Sequence, residues 1–350
     1  MEKKPLATFV LGIAITVVLF SSLFLFQIVL PNQNIAPVTK TAQAPQELQK
    51  FKAVSESATN DGSYLKVDAG KDLGIFASNG LDPEWVTPST HRPRSGSVLG
   101  AADIKDPVES GVKIGYSSGI ESVKAMFQGV PIKVVAVTTG ETTFKVFVQP
   151  DGPIRSMNDL NGRKIGVDAI PGPQYVQFLA LTRTYTIKAE AIATGNATQN
   201  LVALKVGRVD AFFSPSVSIL QLVDTGELRV LLRMADILPK PFVSADLWAT
   251  DDLIAQNPDL VKRFVKATLE TIKYLKENPS YAADLVVKKS GASKELAMKT
   301  VGQLDWTPSI SRVDLMKGIT NMSEFAKEIG EVGIDANLKI EDAVNVSFLP

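Results

Sequence analysis

Five short stretches carry groups suited to holding a small polar molecule. They are Ser55-Glu56-Ser57, Tyr116-Ser117-Ser118-Gly119, Thr138–Thr143 (with Thr139, Glu141 and Thr142), Asp168–Tyr175 (with Gly172, Gln174 and Tyr175) and Ser214-Pro215-Ser216. They sit at the ends of short β-branched or aromatic runs, where open α/β sheets bind ligands. A helix that opens from such a loop leaves backbone N–H groups free and presents the positive end of its dipole, which suits a carboxylate, a sulfonate, a nitrate or a polar ring. Ser, Thr, Asp and Gly also cap helices and close turns on their own account, and each residue taken singly has that second reading. The set, converging on one cleft edge, reads as a binding site. Tyr116, Phe144 and Tyr175 read equally as aromatic walls of a pocket or as packing residues. Glu56, Glu141 and Asp168 share these loops with few Lys or Arg, which favours a ligand bearing an amine or a polar heteroring over a bare inorganic anion.

The chemistry is capture, and the residues that catalysis would need are missing. The chain has no cysteine, which excludes disulfides, thiolate metal sites, cysteine nucleophiles and a lipid-modified cysteine anchor. Its one histidine, His91, lies in the Pro- and Arg-bearing stretch THRPRSG and reads as a solvated loop residue. A Ser-His-Asp triad would have to be built on that residue alone. GSVLG at 96–100 is not followed by the Lys-Ser/Thr of a phosphate loop. No catalytic residue, metal site or cofactor is expected.

The elements that position these loops follow from composition and pattern. At 350 residues the chain is long enough for two domains, and it is 45% apolar and 21% charged. Thirty-seven basic residues balance thirty-seven acidic ones, which leaves no field to recruit nucleic acid. Leu6 to Leu30 is an uncharged apolar run of twenty-five residues, longer than the roughly 20 needed to span a bilayer. It predicts a retained single-pass anchor, with Lys3 and Lys4 on the cytoplasmic side and the remainder on the extracytoplasmic face of the cell membrane. The rival reading is a secretory signal cleaved after Ala44, at Ala42-Gln43-Ala44. Residues 31–48, rich in Pro, Gln, Thr and Ala, predict a flexible tether.

From Gln49 the chain alternates strands and helices, an α/β pattern. Strands are predicted over Phe51–Val54, Glu84–Thr87, Val112–Tyr116, Ile132–Val137, Phe144–Val148, Lys164–Val167, Ala189–Ala193, Val209–Phe213 and Leu228–Leu232. Helices are predicted over Tyr64–Ser78, Ser95–Ile104, Ser118–Gln128, Gln174–Thr184, Gln199–Val206 and Ile219–Asp224, with a mainly helical last third started by Asn257-Pro258 and Asn278-Pro279. Glu109–Ser118 and Lys205–Ser214 share a helix end, a glycine, a valine-led strand, an aromatic and a terminal serine, which suggests two similar lobes.

Several segments, in register, resemble one family. Lys71-Asp72-Leu73-Gly74-Ile75-Phe76 with Asn79–Val86, Gly129–Ala136, Met157–Val167, Gly207–Ala211, and Asn257–Phe264 with Glu277-Asn278-Pro279 are similar to the signatures of the nitrate/sulfonate/taurine and thiamine-precursor family of ABC-transporter substrate-binding proteins. The resemblance runs from about Lys50 to the C-terminus. It implies a type II periplasmic-binding fold with two crossing strands, near Phe144–Pro150 and Pro239–Ser244. Residues 49–145 and 241–350 would form lobe 1 and residues 146–240 lobe 2. It further implies a monomeric, non-enzymatic solute-binding protein. The ligand would be a small polar or anionic organic molecule, such as a sulfonate, taurine, nitrate or a pyrimidine-like compound, delivered to an ABC permease with its ATPase. A membrane-anchored ligand sensor on the same fold is the alternative. The histidine and cysteine-rich motif of the family's eukaryotic enzyme branch has no counterpart in this sequence.

Overall fold

The structure, a computed structural model, describes residues 47–55, 65–87, 102–170, 172–304, 311–333 and 336–349, all within one compact unit, Gln46–Pro350. The predicted anchor, most of the tether, His91, and the binding candidates Glu56 and Ser57 lie outside the described residues. No helix among the described residues is long and apolar enough to cross a membrane.

The described strands are β1 (Gln49–Val54), β2 (Leu81–Val86), β3 (Ile114–Ser118), β4 (Ile132–Thr139), β5 (Lys145–Val148), β6 (Lys164–Val167), β7 (Glu190–Ala193), β8 (Ala211–Ser214), β9 (Arg229–Arg233) and β10 (Ala245–Thr250). The α-helices are α1 (Leu65–Asp72), α2 (Ile75–Ser78), α3 (Ala102–Glu109), α4 (Gly119–Phe127), α5 (Pro173–Tyr185), α6 (Ala197–Lys205), α7 (Val217–Asp224), α8 (Asp251–Gln256), α9 (Pro258–Glu277), α10 (Pro279–Ser290), α11 (Lys294–Val301), α12 (Arg312–Glu328) and α13 (Ile340–Ala343).

Two five-stranded sheets result, in the orders β2-β1-β3-β10-β4 and β7-β6-β8-β5-β9. The patterns are the same. In the first sheet β10 runs antiparallel to β3 and β4, and in the second β5 runs antiparallel to β8 and β9; the β1–β2, β1–β3, β6–β7 and β6–β8 pairs are parallel. Each sheet's antiparallel strand is therefore supplied by chain arriving from the other sheet. The repeat read in the sequence falls on β3 and β8, which hold the same place in their sheets, and the turns before them use Gly111 (φ 86°) and Gly207 (φ 73°) in the left-handed region.

Residues 140–144 carry the chain from β4 to β5, and residues 234–244 carry it back from β9 to β10. An antiparallel strand begins where its parallel neighbours end. Both connections thus join the carboxyl edge of one sheet to the carboxyl edge of the other, and the loops that leave the parallel strands gather at one junction.

Apolar side chains fix this arrangement. Helix α9 lays Leu260, Val261, Phe264 and Val265 against the first sheet, where Phe264 meets the rings of Phe51, Phe76, Trp85 and Tyr116 at centroid separations of 5.6–5.9 Å. Each fully buried Phe contributes roughly 1.5–3 kcal/mol relative to exposure. Helix α4 packs with α12, and its first residue must be glycine: a Cβ on Gly119 would overlap the carbonyl oxygen of Val243 in the second connection. Away from the connections, Val217 of α7 is buried with Leu65 of α1, Leu275 of α9 and Leu296 of α11, and Asp224 of α7 pairs with Lys299 of α11. Helices attached to the two sheets therefore touch at this second place as well.

Three expectations need correction. The helix predicted over 64–78 is two helices, because Gly74 adopts φ 66° and breaks it. Residues 95–101 of the helix predicted over Ser95–Ile104 lie outside the described residues; the described helix there is α3, Ala102–Glu109. The strand predicted at Glu84 starts at Leu81. The first crossing expected at Phe144–Pro150 ends earlier, since Lys145–Val148 is already paired in the second sheet. Strand β10 itself, ADLWAT, has no counterpart among the strands the sequence predicts.

Candidate functional site

The carboxyl edge of the first sheet is formed by Ser55 after β1, Ser117 and Ser118 at the end of β3, Thr139 at the end of β4, and the start of β10. Much of its polarity is turned inward. Asp246 of β10 is 0% exposed, and its Oδ1 accepts hydrogen bonds from Ser117 Oγ (3.0 Å) and Ser122 Oγ (2.9 Å). Tyr116 is 1% exposed, stacks on Trp85 and bonds through its hydroxyl to Thr268 Oγ1 (2.7 Å). This decides between its two readings: Tyr116 is a core residue and not a pocket wall. Ser118 precedes α4 and its backbone N–H donates to Glu121 (3.1 Å). Burial pushes the Glu121 carboxyl above its ordinary range, against the opposing bonds from Ser118.

The second edge keeps its groups differently. Asp168 follows β6, and its carboxylate accepts from Gln174 Nε2 and from Asn200 Nδ2 (2.7 Å). Asn200 is fully buried and accepts in turn from Thr194 Oγ1 (2.7 Å). Gly166 makes room for it, since a Cβ there would overlap Asn200 Oδ1. Burial pushes the Asp168 carboxyl up to about 6, with the bonds from Gln174 and Asn200 opposing the rise. Two amide donors and, among the described residues, no cation hold Asp168, so its remaining lone pairs can take N–H donors from elsewhere. Gln177, one turn into α5 beyond Gln174, has a buried Oε1 with no partner among the described residues.

Gly172 and Pro173 start α5, with Gly172 in ordinary extended backbone at φ −178°. Tyr175 is half-buried and stacks on Phe178 at 5.8 Å. Ser214 ends β8 and its hydroxyl accepts from the Ser216 N–H (3.1 Å), while Ser216 precedes α7 and bonds to Ser218 (2.8 Å). Glu141 pairs with Lys240 across the two connections (2.6 Å), and Thr142 Oγ1 accepts from the Phe144 N–H (3.3 Å). Ser55 closes β1 through its N–H to Val86 O (3.0 Å).

Lys145 carries no loop or motif signal in the sequence. It opens β5 opposite Ser214, it is buried, and its Nζ donates to Thr143 O (3.2 Å). It places a cation on an edge where few were expected, two strand spacings from β6, or roughly 10 Å. Asn200 and Thr194 are equally silent in the sequence; Asn200 lies inside a helix and gives no loop signal.

A cavity of about 220 Å³ opens at the connections, walled by Val137, Glu141, Thr142, Leu238, Phe242 and Asp314 among others. Only Glu141 and Thr142 of the expected binding residues reach it.

Comparison with known proteins places this geometry. A riboflavin-binding protein, RibY, from Chloroflexus aurantiacus is 29% identical over 188 residues, 50% of this chain and 50% of that protein. The chain thus matches about half the length of that curated relative. Among solved structures, the periplasmic sulfonate-binding protein SsuA of Methylobacillus flagellatus shares the fold with a TM-score of 0.67 at 18% identity, covering 87% of this chain and 93% of that one. The desulfurization enzyme DSZB shares it with a TM-score of 0.59 at 15% identity, covering 86% and 97%. The sequence model of the family described as NMT1/THI5 like matches residues 67–282, more than half of the sequence, and the chain belongs to that family.

Proposed function

We propose that this chain is an extracytoplasmic solute-binding protein that captures a small polar organic molecule between the carboxyl edges of its two sheets and hands it to an ABC permease with its ATPase. The N-terminal apolar run would hold it at the membrane. The observation that carries the reading is the second edge: an amide-held carboxylate at Asp168 and a buried ammonium at Lys145, with Ser214 on the strand between them. Such an edge suits a ligand with N–H donors at one end and acceptors or negative charge at the other, such as taurine, a pyrimidine or a flavin-like heteroring. Nitrate, which offers no donor, leaves Asp168 unanswered. The two sheets would act as jaws, and contacts to both would favour the shut state.

The fold also serves an enzyme, but this chain supplies no cysteine, a single histidine, and edge carboxylates already held by amides and hydroxyls. This supports binding without turnover.

The test is a thermal-shift and calorimetric screen with taurine, alkanesulfonates, nitrate, polyamines, pyrimidines and riboflavin. A ligand at 100 times its Kd adds about 2.7 kcal/mol to stability. A shift with a donor-bearing organic ligand and none with nitrate is expected, and absence of any shift across the panel refutes the reading. Uptake of the identified ligand that depends on a permease separates import from sensing.

A further inference from the structure

We infer that the cavity at the two connections is a second small-molecule site, separate from the cleft, that takes a compact apolar amine. Its walls come from three places: Val137, Glu141 and Thr142 at the first connection, Leu238 and Phe242 on the second, and Asp314 in the first turn of α12. Asp168, Ser214, Ser216 and Lys145 do not reach it.

The lining dictates the ligand. Val137, Leu238 and Phe242 give carbon surface that is otherwise buried in the core cluster around them. The polar groups at the rim are largely spent. Glu141 and Lys240 neutralise each other, with the carboxylate holding the Lys240 ammonium above its ordinary range, and Thr142 accepts the Phe144 N–H. Asp314 differs: its carboxylate has no ion pair among the described residues, and only its backbone N–H is engaged, by the Ser311 hydroxyl (3.4 Å). The site therefore presents apolar walls and one unneutralised carboxylate at the mouth. The complement is a hydrocarbon body with a single positive charge.

Volume bounds that body. A cavity of about 150 Å³ lined by apolar side chains accommodates benzene. At about 220 Å³ this one has room for a ring and a one- or two-carbon arm, enough for the arm to carry an ammonium to Asp314. Polyamines and anionic sulfonates do not match it.

The position gives an occupant leverage. If the two sheets act as jaws, as proposed above, both connections change as they close, so a molecule wedged between them binds one arrangement better than another. Its affinity is then coupled reciprocally to that of the cleft ligand.

Benzylamine, as the benzylammonium ion, is the probe, with toluene as its neutral counterpart, titrated into the full chain by calorimetry and ligand-observed NMR. Saturable one-to-one binding of benzylamine is expected. Asp314→Asn, at an exposed position that leaves the fold intact, weakens benzylamine at least fivefold and leaves toluene unchanged. Leu238→Trp, which fills the cavity, removes both, and Asp168→Asn changes neither. The inference is overturned if benzylamine does not saturate, if Asp314→Asn leaves its affinity unchanged, or if Asp168→Asn abolishes its binding while Leu238→Trp does not, which would assign the molecule to the cleft.

Discussion

The two carboxyl edges are built on the same strand pattern and spend their polar groups in opposite ways. On the first, the carboxylate of β10, Asp246, is turned into the sheet and held by Ser117 and Ser122, and the one aromatic of β3, Tyr116, belongs to the core. On the second, Asp168 stands just past its strand and is held by two side-chain amides, those of Gln174 and Asn200. Identical topology can thus produce one edge that is a wall and one that is a set of contacts. What separates the two carboxylates is whether a strand residue or a loop residue carries them.

The comparison breaks most visibly if the first edge is not structural. Asp246→Ala removes the shared acceptor of two buried hydroxyls, and a loss of about 2–4 kcal/mol in urea unfolding is expected; a change below 0.5 kcal/mol would make Asp246 a ligand group. Gly119→Ala forces a methyl onto the Val243 carbonyl where α4 meets the second connection. A cost of about 1–3 kcal/mol by the same measurement is expected.

On the second edge the charge state decides. Asp168 in the folded chain titrates near 6, above the roughly 3.9 of an unfolded aspartate. The folded state therefore holds more protons between pH 4 and 6, and this residue's effect on stability worsens as pH rises through that window. Asp168→Asn should raise the melting temperature at pH 7 relative to wild type and flatten the change between pH 4 and 6. A ligand that donates N–H groups to the ionised carboxylate should bind about tenfold more weakly at pH 5 than at pH 7, since about one molecule in eleven is ionised one unit below the pKa. Calorimetry at the two pH values checks this, and equal affinities would remove Asp168 from the contact set. The smallest effect belongs to Lys299→Ala, which breaks an exposed ion pair between α11 and α7. A change under about 1 kcal/mol in unfolding is expected, because Val217 and its apolar neighbours hold that contact.

How far the sequence anticipates this arrangement depends on where each signal is written. Strands such as Ile132–Thr139 are legible because β-branched residues run together between glycine and polar turns. ADLWAT is not: both of its faces are buried, so it shows no alternation, and its aspartate is satisfied by serines more than 120 residues away in sequence. Helix α1 looks continuous with α2 until Gly74 turns left-handed, a choice glycine permits and sequence does not announce. Asp168 is legible because it opens a loop beside glycine and proline. Lys145 is not, since it is a single polar residue inside the apolar run Phe144–Val148, and Asn200, in mid-helix, reveals its role only through the missing Cβ of Gly166.

The exchange of antiparallel strands also sets an order of assembly. The second sheet is drawn from one continuous stretch, 145–233, and can be completed as soon as that stretch is available. The first cannot, because β10 lies between β3 and β4 and is made more than a hundred residues after them. Until Thr250 has emerged, β3 and β4 each present an open edge, the kind of surface that pairs with other chains. In a chain synthesised from its N-terminus, the half of the molecule made first is the half finished last, and it is this half that needs protection along the way.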